Sequence, residues 1–235
     1  GVVFKEAIKY EGDFERTLGI VAMVISFVIL GVSLFSSLMR IPKNEIMWMI
    51  GFMMLFGGGY FILESPYISL WNDHYRFNTI ASELCMMLYM LSMTVFVVEC
   101  LSKKVKNIGS VLTGVSWVIL AIIMGISFFG SIEIYDTNLA WSVSQSLVTL
   151  ILLGCVIYSL IHAEKYNRIL LILSIFLIAA FHVDFAATAI GWWQGGLISN
   201  IVFILMFFII IFMILLVIPK NFRAAMREKK MRAEF

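Results

Sequence analysis

Six side chains able to grip a small molecule stand in otherwise apolar surroundings: Tyr60, Glu64, Glu83, Trp141, Gln145 and Asp184. They offer carboxylates, an amide, a phenol and an indole, a set that can donate and accept hydrogen bonds. An ionisable group inside an apolar span costs about 3 kcal/mol, so each acidic residue there is a functional candidate by default. Glu83 falls about one turn inside its apolar run, Glu64 near the end of another, and Asp184 in the outer half of a third. Together the six outline a candidate ligand-binding cavity, open at one side of a membrane. His182 lies two residues from Asp184, which is about 200° around a helix. The two therefore cannot act as a His–Asp catalytic pair on one face. His182 shares its face with Ala186 and Ala189, small residues that let another helix come close, so it reads as a helix-packing polar group. The competing reading is that Asp184 and His182 only hydrogen-bond neighbouring helices, and the sequence leaves both open.

Other chemistry is missing from the sequence. Cys85, Cys100 and Cys155 are far apart in apolar runs and read as small buried apolar residues, with no metal spacing. No HExxH and no GxSxG motif occurs, so neither a zinc protease nor a serine hydrolase is indicated. The apolar run 196–218 contains no lysine for a retinal Schiff base. "GGGY" (57–60) has no Lys-Ser/Thr after it and reads as a packing feature rather than a phosphate loop. Glu99, with Lys103 four residues on, reads as an ordinary surface ion pair. No catalytic residue, metal or cofactor is expected.

The elements that would position these residues follow from composition. The 235 residues are 62% hydrophobic and 14% charged. A soluble chain is nearer half apolar and a quarter charged, so this one reads as an integral membrane protein. A span needs about 20 mostly apolar residues. Seven such runs are present, near 17–39, 46–68, 79–101, 108–130, 139–162, 168–192 and 196–218. They are too long and too uniformly apolar for barrel strands, which leaves helices. Thirteen of the 17 Lys and Arg residues fall in alternate breaks and the C-terminal tail, on one side of a seven-span layout. The positive-inside rule then puts the N-terminus outside and the C-terminus in the cytoplasm. The expected organisation is an outer linker, or the end of an outer domain, over 1–16, a seven-span sensor domain over 17–218, and a cytoplasmic juxtamembrane helix over 219–235 leading to an output domain. That last helix suits anionic headgroups or the start of a signalling coiled coil.

Three stretches carry a resemblance: "MWMIGFMMLFGGGYFILESPYISL" (47–70), "YMLSMTVFVVECL" (89–101) and "FHVDFAATAIGWWQGGLISNIVFILMFFIII" (181–211). They resemble the membrane sensor module of the bacterial seven-transmembrane receptors with diverse intracellular signalling modules, most of all those ahead of a GGDEF diguanylate cyclase domain. Gly51, Phe52 and Glu64 match the family's Leu-Gly-Leu-Phe … Trp-x-Leu-x-Glu run in span 2. Val183-Asp184 matches its Leu-x-Asp in span 6. The Ser199 to Phe203 region is similar to its Gly-x-x-x-Phe in span 7, with Ser in the Gly place. The resemblance covers the chain from about residue 14 and implies an outer domain before it and a cytoplasmic output domain after it, GGDEF-like or otherwise. This chain holds no GGDEF residues.

The expectation is thus an all-α integral membrane seven-helix bundle in a bacterial plasma membrane. It would act as a non-enzymatic sensor, a homodimer in the lipid bilayer, responding to a small-molecule ligand from outside and not to nucleic acid. The alternative is a small proton- or cation-coupled transporter or channel subunit, with Glu64, Glu83 and Asp184 forming the path.

Overall fold

The computed structural model describes residues 2–38, 45–64, 75–129, 134–162 and 165–189, with 208, 211 and 212. Side chains are described over 16–35, 37, 45–63, 77–127, 137, 139–162, 168–183, 186, 208, 211 and 212. All regular structure among these residues is helical. Six helices follow in order: α1 (Val2–Leu38), α2 (Glu45–Glu64), α3 (Tyr75–Cys100), α4 (Lys103–Phe129), α5 (Ile134–His162) and α6 (Lys165–Ala189). The run read as a seventh span, 196–218, and the tail 219–235 lie outside the described residues apart from Phe208, Ile211 and Phe212.

Among the described residues five stretches are long and apolar enough to cross a membrane: Arg16–Phe35 (20 residues), Glu45–Leu63 (19), Phe77–Cys100 (24), Lys103–Ser127 (25) and Leu139–His162 (24). The sixth helix carries a shorter apolar stretch, Arg168–Val183. α1 continues 14 residues ahead of its span, so the segment expected as a linker is helical and continuous with the first crossing. The outward faces are apolar too. Val24, Phe27 and Val28 on α1, Val111 and Val118 on α4, Leu147 and Ile151 on α5, and Phe176 on α6 are all exposed. A water-soluble protein does not carry apolar surface on this scale, whereas hydrocarbon accepts it without cost.

α1 and α2 pack backbone to backbone. A Cβ on Gly19 would lie 2.8 Å from the Gly58 carbonyl oxygen, and one on Gly58 would lie 2.8 Å from that of Gly19. Without side chains at these positions the helices close up, as small residues allow in membranes. The same seam carries Ala22, Ser26, Ile29 and Ser33, all buried. Ser26 Oγ donates to the Gly51 carbonyl across it, at 2.8 Å. Gly59 meets Cys85 of α3 in the same way, its ideal Cβ position 3.2 Å from the sulfur.

α3 is the hub. It contacts α2, α4, α5 and α6, and it supplies Met87, Leu91, Met93 and Phe96 to the buried core. The α3–α4 turn takes only Leu101 and Ser102. The Ser102 carbonyl accepts from the Val105 and Lys106 amides as α4 begins. Its own amide donates to Ser159 Oγ of α5 at 3.1 Å, and that hydroxyl donates on to Ser102 Oγ at 3.3 Å. These contacts join α3, α4 and α5 at one end of the bundle, called the lower end below.

The turn also corrects the pairing read from the sequence. Glu99 bonds Lys106, at 2.6 Å, and not Lys103. The four-residue rule needs an unbroken helix. Here the helix stops at Cys100, and the new axis carries Lys103 out to solvent and Lys106 back over Glu99.

Two outcomes follow. Gly58→Val should lower stability by about 1–3 kcal/mol by forcing the α1 and α2 backbones apart. Gly31→Val should be near neutral, because nothing lies within 4 Å of a Cβ at Gly31. Thermal unfolding in detergent compares the two. A double-mutant cycle should find about 0.5 kcal/mol between Glu99 and Lys106, discounted for their partial exposure, and nothing between Glu99 and Lys103.

Candidate ligand-binding site

Helix register places the sequence-predicted residues at one end. The Ser102–Ser159 bond sets α3 and α5 side by side and parallel, 57 residues apart in number. Glu83 is then level with Trp141, and Gln145 lies about one turn deeper. α2 runs antiparallel to α3 with Gly59 beside Cys85, so Tyr60 and Glu64 belong to the same end. α6 begins at Lys165 just after α5 ends at His162, so it runs back toward the upper end and carries the backbone at Asp184 there. This is the upper end, where α3 and α5 begin.

The interior of the upper end is polar. Asn78, Ser82 and Glu83 on α3 are buried, as are Gln145 and Ser146 on α5. Every carboxylate or carboxamide among the buried residues lies here. The buried polar groups elsewhere are hydroxyls, and most of these spend their proton on a carbonyl of their own helix. Ser92 donates to Leu88, Thr94 to Met90, Ser116 to Leu112 and Ser174 to Leu170. Such back-bonding satisfies a hydroxyl in an apolar setting. A carboxamide cannot be satisfied that cheaply, since it presents two donors and an acceptor.

Gln145 shows the consequence. It is 1% exposed, and neither its Nε2 nor its Oε1 has a hydrogen-bond partner among the described residues. The neighbouring hydroxyls are turned away. Thr149 Oγ1 donates to the Gln145 main-chain carbonyl at 2.7 Å and also reaches that of Ser146 at 3.1 Å. Ser144 Oγ donates to the Trp141 carbonyl at 2.7 Å. Trp141, one turn above Gln145 on the same face, is fully buried, and its Nε1–H also has no partner among the described residues. Ser146 Oγ, on the adjoining face, is in the same state. One helix thus carries three buried polar side chains with unused hydrogen-bonding capacity. Each such group costs about 1–3 kcal/mol if nothing fills the gap.

The other candidates stand as follows. Glu83 is buried on α3, at the level of Trp141. Tyr60 is half-buried and meets Phe61 edge-on, with centroids 5.5 Å apart. The side chains of Glu64 and Asp184 lie outside the described residues, although their backbones belong to α2 and α6. His182 is half-buried. Its Nδ1–H donates to the Ile178 carbonyl of its own helix at 2.8 Å, and its ring lies edge-on to Phe181. Ala186, one turn on, is exposed.

Sequence reasoning missed Asn78, Ser82 and Ser146. A signal was available for the first two: Asn78, Ser82 and Glu83 share one stretch of α3, with the first two at helical i, i+4 spacing. The three cysteines carry no disulfide, with Cys85 half-buried and the others buried. No group of three His, Cys, Asp or Glu side chains that could hold a metal occurs among the described residues. No protein-family model matches the chain, and no curated protein or solved structure matches it either.

The site makes a stability prediction of unusual sign. Gln145→Leu keeps the volume and removes the unsatisfied amide. The variant without ligand should unfold about 1–3 kcal/mol later than the unaltered protein, read as a higher apparent Tm in detergent. A lower Tm would mean that the amide holds the fold together.

Proposed function

We propose that this chain is the membrane sensor module of a bacterial signal-transduction protein, taking a small molecule at the upper end and passing its effect to a cytoplasmic output domain, GGDEF-like or otherwise. The observation that carries the reading is the buried Trp141–Gln145 pair, whose polar side-chain atoms have no hydrogen-bond partner among the described residues. Structural polar groups in a membrane bundle are normally satisfied within it. Groups left unsatisfied at a cost to stability fit a site kept ready for something that arrives from outside.

Charge placement supports the orientation. Lys103, Lys104, Lys106 and Arg168 stand at the lower end, and Arg16 at the upper. In this reading the lower end faces the cytoplasm and the upper end faces outward, with the N-terminus outside and seven crossings in a plasma membrane. The likeness of 47–70, 89–101 and 181–211 to bacterial seven-transmembrane receptors points the same way. A ligand at the upper end switches the module only by binding two helix arrangements unequally. α3 suits the transmitting role, because it touches four helices and ends in the Ser102–Ser159 and Glu99–Lys106 contacts at the far end. Two modules side by side would pair their output domains.

The test is the source gene's reading frame beyond Phe235. A signalling domain beginning within a few tens of residues is the expected result. A stop codon at that point would overturn the sensor reading and favour a small transporter, with Glu83 on the path.

A further inference from the structure

We propose that the Trp141–Gln145 face binds an uncharged small molecule through an amide edge, a hydrogen-bond donor and acceptor on neighbouring atoms as in a lactam or a carboxamide. The proposal rests on the reading of the upper interior as a ligand site and adds the chemistry of the ligand.

The argument runs from what each unused group requires. An indole N–H can only donate, so the ligand must present an acceptor to Trp141. A carboxamide donates from nitrogen and accepts at oxygen, and in Gln145 both atoms are unused. Its complement is a second amide, paired edge to edge by two hydrogen bonds. The two residues lie four apart on one helix face, so one ligand can reach both. Ser146 Oγ, on the adjoining face, could serve a second polar substituent.

Charge narrows the class. Gln145 is 1% and Trp141 0% exposed, so a ligand there gives up most of its hydration. A buried ion needs a countercharge to repay that loss. Among the described residues no Lys or Arg is buried, so an anion there has no buried countercharge to repay its lost hydration. An ammonium ion has no acceptor for the indole or the amide N–H groups, and its protons would oppose them. A zwitterion brings the same uncompensated carboxylate. A neutral amide carries neither, and it satisfies donor and acceptor together.

Isosteric probes separate these classes. The protein in detergent or nanodiscs is titrated with nicotinamide and δ-valerolactam, with nicotinate as the anionic isostere and glycine as the zwitterion, and followed by thermal shift. Saturable stabilisation by nicotinamide or the lactam is expected, at least tenfold weaker with nicotinate and glycine. Gln145→Leu should weaken the amide probe tenfold or more, and Trp141→Phe about fivefold. Nicotinate or glycine binding as well as the amides would overturn the proposal. So would an amide response that Gln145→Leu leaves unchanged. Stabilisation of the ligand-free protein by Gln145→Leu with no response to either amide would also overturn it, leaving water as the occupant. Failure of the sensor reading looks different. It gives amide binding that depends on Gln145, with no signalling domain encoded after Phe235.

Discussion

Hydrocarbon offers no hydrogen bonds, and the rest of this structure follows from that. In water a polar group has a fallback; between lipid tails it has only the protein. The main chain meets the condition by becoming helix for almost its whole described length. Many serine and threonine hydroxyls meet it by turning back onto their own helices. Other polar atoms among the described residues do not: Ser33 Oγ on α1, Ser127 Oγ on α4 and His182 Nε2 on α6 are buried without a partner, and such atoms gather most densely on α5, at Trp141, Gln145 and Ser146. Among the described residues the buried amides and carboxylate lie toward the upper interior, while buried hydroxyls are scattered along the bundle.

The bundle is assembled in two ways. α1 and α2 are joined by backbone contact, through glycines that permit an approach no side chain would allow. The helices from α3 onward are joined by interleaved side chains such as Met87, Leu91, Trp141, Leu152 and Leu177. α3 belongs to both systems, meeting α2 at Gly59 and Cys85 and meeting α5 along its other side. α3 is thus the element that connects the glycine-joined pair to the layered group. Lys103 and Lys104 sit unfavourably in the first turn of α4, where the helix dipole repels cations. Helix stability therefore does not account for their place there.

Much of this was legible in the sequence, for a physical reason. Apolar length is a local property, and the runs near 17–39, 46–68, 79–101, 108–130 and 139–162 match the apolar stretches of α1 to α5. Gln145 and Trp141 were legible as polar groups in an oily run. Their unsatisfied state was not, because it depends on where Thr149 and Ser144 send their protons. The Glu99 partner was misread because spacing rules assume a continuous helix and the chain breaks at Leu101 and Ser102. Glycine-mediated contact was only half visible. "GGGY" announced close packing, but nothing in the sequence paired Gly58 with Gly19.

α1 runs unbroken for 37 residues, Val2–Leu38. At 1.5 Å per residue that is about 55 Å, well beyond the roughly 30 Å of a hydrocarbon core. The polar leading turns and the apolar stretch therefore form one rod with no joint between them. Whatever pushes on the leading end is passed without loss to the Gly19–Gly58 contact, where the rod lies against α2.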